Sequence, residues 1–402
     1  MQTVILAAGR GTRMRPLTDR RPKPMLPVAD KPLVGHTADA AIEAGATKLT
    51  IVVGYEAADV RAYFGEERAG VPVEFAVQEK QRGTAHAVRA AVDHIDAGEP
   101  FVVLNGDALY DVPTLSTMYE GTPAVGSYRV DNPSSYGVLD TDDEGYVAGV
   151  VEKPENPPSD LINAGSYVFP SEAREWLDVE ESERGELELT DVLDKMCAEY
   201  DVRAVPFERW LDVGRPWELL EANEWALESL ETRLDGDVSD GAEFDGPLVV
   251  EAGATVKSGV VIEGPTLIRD GATVGPNCYI RGKTVVGEGA KIGNAVEVKN
   301  SVLMEGATVG HLSYVGDSVL GRDVNFGAGT KVANLRHDGK SVRQMLKGEL
   351  VSTGRRKYGV VFGDEAKTGI NTSLNAGVRL PTEGSTKPGE VVLYDKIEEK
   401  SK

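Results

Sequence analysis

The stretch VEAGATVKSGVVIEGPTLIRDGATVGPNCYIRGKTVVGEGAKIGNAVEV, residues 250–298, carries an aliphatic side chain at every sixth position. This spacing fits neither an α-helix, which repeats about every 3.6 residues, nor a strand, which alternates about every two. It fits a β-solenoid whose coils have three six-residue sides, each of which turns one aliphatic side chain inward. The positions are Val250, Val256, Ile262, Ile268, Val274, Ile280, Val286, Ile292 and Val298.

The same repeat continues after residue 298, with two steps of five residues. It stops in NLRHDGKSVRQMLKGELVSTGRRKYG, residues 334–359, where we expect a loop or hairpin to leave the solenoid. Later positions predict that the coils resume. The continuing positions are Leu303, Val309, Val315, Leu320, Phe326 and Val332 before the break, and Phe362, Thr368, Leu374 and Leu380 after it.

The first 110 residues show a different pattern, in which short apolar runs alternate with amphipathic stretches. This alternation is typical of a largely parallel sheet with helices on both faces, which binds its ligands beyond the carboxyl ends of the strands. A turn-rich segment after residue 234 predicts an α/β domain over 1–235 and a solenoid domain over 236–402. The expected strands are 3–8, 49–54, 73–78 and 101–107, and the expected helices are 36–45, 84–95 and 216–234.

Composition limits the classes of protein that the chain could be. The 402 residues include 65 acidic and 43 basic side chains, which gives a formal net charge of −22. Such a surface repels nucleic acid, and no apolar run approaches the roughly 20 residues of a membrane helix. The two cysteines cannot form a disulfide framework. We expect a cytoplasmic protein without nucleic-acid or membrane partners, and the excess of acid suggests a halophilic protein, adapted to high salt.

A glycine-rich segment, LAAGRGTRMRPLTDRRPKPMLPVADKPL (6–33), follows the first expected strand. Gly9 and Gly11 permit a backbone turn that directs N–H groups at an anion, and Thr12 adds a hydroxyl donor. The segment lacks the ending of a P-loop and the glycine spacing of a dinucleotide fingerprint. By itself it could be a phosphate loop or an ordinary glycine turn with solvated arginines. The cations that a polyphosphate would use are Arg13, Arg15 and Lys23.

This segment and six later motifs resemble the signature of sugar-1-phosphate nucleotidylyltransferases. The resemblance covers residues 1–235 and implies a Rossmann-like nucleotidyltransferase domain. A sugar 1-phosphate would attack the α-phosphorus of a nucleoside triphosphate in line, and pyrophosphate would leave. The motifs, in the order of the family, are QEKQRGTAHAV (78–88), LNGD (104–107), YGVL (136–139), VEKP (151–154), INAGSYVF (162–169) and LDVGRPWELLEAN (211–223).

The resemblance also implies roles for individual residues. Gln78 can pair with a pyrimidine edge, which favours UTP or dTTP. Mg²⁺ prefers one or two carboxylates together with phosphate oxygens and water, and Asp107 and Asp212 are its implied ligands. The implied catalytic cations are Arg13 and Lys23. The implied nucleotide contacts are Ala8, Gly9, Gly11, Thr12, Gln78, Gly83 and Thr84, and the implied sugar-phosphate contacts are Gly137, Glu152, Lys153 and Asn163.

Residues 280–341 resemble the acetyltransferase half of the bifunctional enzymes that make UDP-N-acetylglucosamine. This resemblance implies a left-handed parallel β-helix (hexapeptide repeat) that packs as a homotrimer and acetylates glucosamine 1-phosphate or galactosamine 1-phosphate from acetyl-CoA. His311 would be the general base, because the pKa of imidazole suits that task, and Asn334 would orient it. The implied sugar-phosphate contacts are Arg281, Lys299, Tyr314, Asn325 and Asn334, and the implied acetyl-CoA contacts are Ala328 and Lys340.

Two questions stay open in the sequence. The basic run 355–357 is either a contact for the coenzyme phosphates or a solvated hairpin tip. The leading function is acetyl transfer followed by Mg-dependent uridylyl transfer from UTP. One alternative is a monofunctional glucose-1-phosphate uridylyl- or thymidylyltransferase with a structural β-helix, and another is a catalytically silent regulatory subunit. His311 and Asn325 favour the first function over the second, and Lys23 with Asp107 favours it over the third.

Overall fold

A computed structural model of the chain describes residues 1–54, 57–121, 123–182 and 185–397. By its contacts the chain forms two compact units. The first comprises residues 1–10, 22–25 and 32–212, and the second comprises residues 11–21, 26–31 and the chain from residue 213 onwards. Part of the glycine-rich segment therefore belongs to the second unit.

Among the described residues, the N-terminal part of the chain contains fourteen strands and six α-helices. The strands are β1 (Gln2–Leu6), β2 (Pro27–Val28), β3 (Lys31–Pro32), β4 (Lys48–Val53), β5 (Glu67–Arg68), β6 (Val71–Val77), β7 (Phe101–Asn105), β8 (Ala108–Tyr110), β9 (Ala124–Arg129), β10 (Gly137–Thr141), β11 (Val147–Glu152), β12 (Leu161–Phe169), β13 (Arg203–Pro206) and β14 (Trp210–Asp212). The helices are α1 (Leu33–Glu43), α2 (Ala57–Phe64), α3 (Thr84–Ala90), α4 (Val112–Glu120), α5 (Leu189–Glu199) and α6 (Pro216–Ala226).

A mixed sheet organises the first unit, in the order β11-β10-β12-β7-β1-β4-β6-β5, with β9 paired to β12 and β13 paired to β9. Its centre is parallel, because β1 lies between β4 and β7 and pairs with both in parallel. Ile5, Ile51 and Leu104 are fully buried, which explains the continuous apolar runs of these strands. Parallel pairing places Leu6 opposite Asn105, so the segments that follow β1 and β7 leave the sheet at the same edge.

The second unit is a parallel β-helix with three sheets. The first sheet contains β15 (Arg233–Leu234), β18 (Leu248–Val250), β21 (Thr266–Ile268), β24 (Thr284–Val286), β27 (Val302–Leu303), β30 (Val319–Leu320), β35 (Val361–Phe362) and β37 (Arg379–Leu380). The second contains β16 (Asp237–Val238), β19 (Thr255–Val256), β22 (Thr273–Val274), β25 (Lys291–Asn294), β28 (Thr308–His311) and β31 (Asn325–Phe326). The third contains β17 (Glu243–Asp245), β20 (Val261–Glu263), β23 (Tyr279–Arg281), β26 (Glu297–Lys299), β29 (Tyr314–Gly316), β32 (Lys331–Val332), β36 (Ser373–Leu374) and β38 (Val391–Val392).

The six-residue repeat forms the core of this β-helix. Each aliphatic position that the sequence predicts between Val250 and Val332 is at most 2% exposed, and the last coils bury Phe362 and Leu380 completely. The break at 334–359 contains an antiparallel hairpin of β33 (Arg343–Leu346) and β34 (Glu349–Ser352). The expected α/β domain followed by a left-handed parallel β-helix is therefore confirmed.

The helix expected over 216–234 is shorter than the sequence suggests. It ends at Ala226, and a 3-10 turn covers Leu227–Ser229. Arg233 then pairs in parallel with Val249, so this segment already forms part of the first coil. Within the described residues, none of the helices combines the length and the apolar composition that a membrane-spanning segment needs.

Candidate functional site

Two carboxylates converge in the first unit. Strands β8 and β14 are antiparallel, and Asp212 lies opposite Ala108, the residue that follows Asp107. The Lys23 ammonium donates a hydrogen bond to the Asp107 carboxylate, and Lys23 is only 5% exposed. The pKa of the buried Tyr110 phenol is raised well above its ordinary value, first by burial and then by the charge of Asp107, with a further contribution from Asp212. The structure thus brings Lys23, Asp107 and Asp212 together.

The donor set of this pair suits magnesium. Mg²⁺ is bound in proteins by one or two carboxylates, and phosphate oxygens and waters complete its octahedral shell. Among the described residues, no group of three or more histidine, cysteine or acidic side chains is arranged to hold a metal. Asp107 and Asp212 therefore fit an ion whose other ligands come from a substrate and from water, and they do not fit a site built from protein side chains alone.

The glycine-rich loop shows two features of an anion-binding turn. Gly11 has a φ of 61°, in the left-handed region that favours glycine, and the helical turn Thr12–Met14 follows it. The side chain of Met14 is buried, whereas Thr12 and Arg13 are exposed. Before the loop, Ala8 is buried, and a β-carbon added to Gly9 would have no other heavy atom within 4 Å. The backbone at Gly9 is therefore open to a ligand.

Gln78 is buried and its amide orientation is fixed by two acceptors. Its Nε2 atom donates to the Gly83 carbonyl at 3.1 Å and lies 3.1 Å from Nδ1 of His86. Because a carbonyl can only accept, the nitrogen assignment is settled, and Nδ1 of His86 must accept as well. Both hydrogens of Nε2 are then used within the protein. Gln78 therefore has only Oε1 to offer to a base, and the expected pairing with a pyrimidine edge would consist of one accepted hydrogen bond.

Gly83 and Thr84, which are also expected nucleotide contacts, fix the backbone conformation near Gln78. A β-carbon on Gly83, which has a φ of 119°, would lie 2.2 Å from the Leu187 carbonyl oxygen, so only glycine fits. The hydroxyl of Thr84 accepts a hydrogen bond of 3.0 Å from the Leu189 amide. The Thr84 side chain therefore joins two segments of the first unit, a role that the sequence did not suggest.

The four expected sugar-phosphate contacts of the first unit lie together. Gly137 is opposite Glu152 in the β10–β11 pair, and a β-carbon on Gly137 would lie 3.7 Å from Cβ of Asn163. Lys153 Nζ lies 3.0 Å from a Glu152 oxygen. Asn163 is held by Tyr167, whose hydroxyl accepts from Asn163 Nδ2 at 2.7 Å. The sequence motifs that contain these residues are far apart in the chain, and the antiparallel pairs of β10 bring them to one place.

A buried acid organises the corresponding residues of the β-helix. Asp317 is 2% exposed and lies 2.8 Å from Lys299 Nζ through each of its two oxygens. Asn334 Nδ2 donates to Asp317 at 2.5 Å and to the Tyr314 hydroxyl at 3.1 Å. Burial, and then the charge of Asp317, raise the pKa of Tyr314. Lys299, Tyr314 and Asn334 therefore lie together around Asp317, an aspartate that the sequence analysis missed.

Arg281 extends this group by one coil. It lies opposite Lys299 in the β23–β26 pair, so the two cations are stacked. Its Nε donates to Glu297 at 2.9 Å, and this hydrogen bond raises the pKa of the guanidinium. Glu297 balances the charge of Arg281, and Asp317 balances that of Lys299. The two stacked cations can therefore lie close together without a large net charge.

His311 is the last residue of β28, and its side chain is exposed. Ala328 lies opposite it in the next coil, because the Gly329 amide donates to the His311 carbonyl. Asn325 lies in β31, the next strand of the same sheet, opposite Thr308. Within one chain, the hydrogen bonds of the Asn334 side chain among the described residues do not lead to His311, so the expected orienting role stays a prediction. The Asn334 amide donates to Tyr314 and Asp317, because it lies near the end of β29 that is opposite the His311 corner.

The three residues of the basic run 355–357 have different surroundings. The Arg355 guanidinium is bound by both oxygens of Glu224 in α6, so it is neither a solvated tip nor open to coenzyme phosphates. Arg356 and Lys357 are exposed, as is Lys340. Glu224 also accepts a hydrogen bond of 2.7 Å from Asn300, which in turn donates to Asp317 at 3.1 Å.

Comparison with known proteins agrees with both halves of this description. Residues 2–229 match the family model of nucleotidyl transferases, and residues 262–387 match that of the GMPPB C-terminal domain. A solved structure of UDP-glucose pyrophosphorylase complexed with UDP-glucose is similar to the N-terminal part, with a TM-score of 0.52 and 26% identity. That likeness covers 56% of this chain and 97% of the other.

Two curated relatives extend over nearly the whole chain. A bifunctional sugar-1-phosphate nucleotidylyltransferase/acetyltransferase of Sulfurisphaera tokodaii is 39% identical over 404 residues, which is 98% of both chains. The bifunctional protein GlmU of Methanococcus maripaludis is 44% identical and covers 94% of this chain and 92% of that protein. The chain belongs to the family of bifunctional sugar-1-phosphate nucleotidylyltransferase/acetyltransferases.

Proposed function

We propose that this protein makes UDP-N-acetylglucosamine in two steps. The β-helix acetylates glucosamine 1-phosphate, and the α/β unit joins the product to UTP with release of pyrophosphate. The observation that carries the proposal is the presence of two separate groups in one chain. Lys23 accompanies Asp107, which precedes β8, and Asp212, which ends the neighbouring strand β14. Lys299 accompanies Tyr314 and Asn334 on the β-helix. A β-helix that only supported assembly would have no need of the second group.

In the first step His311 would accept a proton from the amine of the sugar. The nitrogen would form a bond to the thioester carbonyl carbon of acetyl-CoA, the carbon–sulfur bond would break, and the thiolate would take up a proton. Arg281 and Lys299 would bind the sugar phosphate, because they are stacked cations on the same face. Ala328 and Lys340 would contact the coenzyme, and Tyr314 and Asn325 would contact the amino sugar.

In the second step a phosphate oxygen of the acetylated sugar would attack the α-phosphorus of UTP. The bond from that phosphorus to the bridging oxygen would break, and pyrophosphate would leave. Arg13 and Lys23 would neutralise phosphate charge, which is the main catalytic requirement when two anions react. Asp107 and Asp212 would hold Mg²⁺, which supplies further neutralisation when bound. Gly137, Glu152, Lys153 and Asn163 would hold the sugar.

We also propose that the protein is a cytoplasmic homotrimer that works in high salt. Support for assembly through the β-helix comes from Leu312, which is 61% exposed beside a groove of about 460 Å³ lined by Tyr279, Glu297 and Tyr314. Support for high salt comes from the formal net charge of −22, whose self-repulsion is screened by counterions.

A panel of substrates tests the proposal. Thiol release from acetyl-CoA is measured with glucosamine 1-phosphate and with galactosamine 1-phosphate, and pyrophosphate release is measured with UTP and with dTTP in the presence of Mg²⁺. We expect the glucosamine compound and UTP to be used best. If no hexosamine 1-phosphate releases thiol while pyrophosphate release proceeds with glucose 1-phosphate, the protein is the monofunctional enzyme with a structural β-helix.

A further inference from the structure

One corner of the β-helix has a left-handed backbone in successive coils. Glycine is the residue that adopts this conformation without strain, and the earlier coils follow that rule at Gly253, Gly271, Gly289 and Gly306. The next coil has Asp323 there, with a φ of 53°, and the last two coils have glutamate. Glu365 has a φ of 61° and Glu383 a φ of 60°. The Glu383 amide donates to the Asp364 carbonyl, so the two glutamates are stacked in consecutive coils.

Both glutamates bind the same side chain, which comes from the glycine-rich loop. One Nη atom of Arg20 donates to the Glu365 carboxylate and the other donates to Glu383. The pKa of Arg20 is raised, mainly by these two hydrogen bonds. A strained position is expected to persist where a specific interaction requires its side chain. Here the two disfavoured corners place their carboxylates on the two sides of one guanidinium.

Further hydrogen bonds join the same loop to the same coils. The Thr382 hydroxyl donates to Asp19 at 3.0 Å, and Arg379 Nη1 donates to the Arg15 carbonyl at 3.4 Å. Arg379 is itself fixed by Asp395, which accepts from its Nε and from its backbone amide, each at 2.7 Å. The loop is therefore held along its length by the C-terminal coils.

This attachment reaches the residues that precede Arg20. Thr18 Oγ1 donates to the Gly11 carbonyl at 2.8 Å, and Gly11 begins the turn that carries Thr12 and Arg13. The conformation of residues 15–20 therefore fixes the start of the turn.

We propose that the last two coils of the β-helix hold the loop 11–21 in its nucleotide-binding conformation, and that Arg20 is a positioning residue for nucleotidyl transfer. The inference rests on the proposed role of this loop in binding UTP. It gives the coils after the 334–359 break a part in the reaction of the other half of the chain. Arg20 acts through the loop and need not touch the nucleotide.

The test compares Arg20→Ala with the double variant Glu365→Gln/Glu383→Gln, which keeps the size of both corner side chains and removes their charge. We expect both to raise KM for UTP by about three- to tenfold, the range for loss of two partly exposed ion pairs, with kcat little changed. Acetyl transfer and the melting temperature should stay as in the wild type. The triple variant should be no worse than Arg20→Ala, because all three changes remove one interaction.

Two controls separate the possible failures. Arg233→Ala removes an exposed arginine that is paired with Asp235 elsewhere in the β-helix, and it should not change KM for UTP. Arg13→Ala tests the loop itself and should raise KM or lower kcat strongly. If Arg13→Ala impairs the reaction and the Arg20 and glutamate variants do not, the positioning role is wrong. If Arg13→Ala has no effect either, the loop does not bind the nucleotide, and the proposed site and this inference both fail.

Discussion

Asp317 places each of its two carboxylate oxygens 2.8 Å from Nζ of Lys299. The same carboxylate accepts hydrogen bonds from Asn300 and Asn334, so one buried acid fixes a lysine and two amides. A lysine held in this way presents its charge from a defined position, which suits recognition of a small phosphorylated sugar. The geometry of the β-helix group therefore depends on a residue that is not proposed to touch the substrate.

The Lys299–Asp317 pair predicts a large loss of stability in Asp317→Asn. The substitution leaves the lysine charge in a poorly solvated place, and breaking a buried pair costs about 3 kcal/mol of unfolding free energy or more. Urea denaturation measures this loss. Asp338→Asn is the matched control, because Asp338 is paired with Arg336 at an exposed position, and its unfolding curve should match the wild type. Equal curves for all three proteins would contradict this account of the pair.

Gly9 predicts a variant that folds normally and binds UTP poorly. A β-carbon on Gly9 meets nothing within 4 Å in the protein, so Gly9→Ala should keep the melting temperature. It should raise KM for UTP by about tenfold, because the added carbon occupies the space in which a phosphate approaches the backbone. Gly149→Ala, at another open glycine, is the control and should leave both quantities unchanged. An unaltered KM in Gly9→Ala would mean that the nucleotide does not approach this backbone.

His86 predicts a pH dependence of UTP binding. Burial, and then the charges of Arg89 and Arg82, lower the pKa of His86 from its ordinary value of 6.5, so the ring is neutral at pH 7 and Nδ1 accepts from Gln78. Below the lowered pKa the ring is protonated, Nδ1 becomes a donor and the hydrogen bond is lost. KM for UTP should therefore rise as the pH falls through this lowered pKa, on the acid side of 6.5.

His86→Asn is the matched variant for this prediction. Its side-chain oxygen can accept from Gln78 near the place of Nδ1 at every pH, so its KM should rise less than that of the wild type over the same range. The ionisation of UTP affects both proteins equally and cancels in the comparison. Parallel KM profiles for the two proteins would show that His86 does not control Gln78.

The acidic composition predicts that salt stabilises the protein. With a formal net charge of −22, self-repulsion should lower the melting temperature in about 0.1 M KCl and be screened in about 2 M KCl. We expect the melting temperature to rise by several degrees across this range. The control is a protein of similar size with equal numbers of acidic and basic side chains, whose melting temperature reports the general effect of KCl. A melting temperature that is the same at low and molar salt would rule out the adaptation.

The sequence predicts the architecture of the chain better than it predicts the contacts among the candidate-site residues. The inward positions of the β-helix follow from a local six-residue period, so Val250 and its successors could be placed without knowledge of distant residues. Asp317 lies outside that period, and its role depends on the stacking of coils and on the position of Asn334. The partnership of Glu224 with Arg355 required the packing of α6, which no local pattern reveals.

The motifs of the α/β unit show the same limit. Residue types and order indicated Gln78 as a contact for the base, but its hydrogen bonds to Gly83 and His86 are visible only in the fold. Arg20 attracted no attention in the sequence because its partners lie more than 300 residues away. A signal was nevertheless present, since Asp323, Glu365 and Glu383 replace glycine at a repeated corner of the β-helix.

The central claim is that one chain carries two separate active sites, and two single variants test it most directly. His311→Ala and Asp107→Ala are each measured for thiol release with glucosamine 1-phosphate and acetyl-CoA, and for pyrophosphate release with N-acetylglucosamine 1-phosphate, UTP and Mg²⁺. We predict that His311→Ala lowers thiol release by about a hundredfold or more and spares pyrophosphate release, and that Asp107→Ala does the reverse. Thiol release that persists in His311→Ala, or pyrophosphate release that persists in Asp107→Ala, would contradict the account.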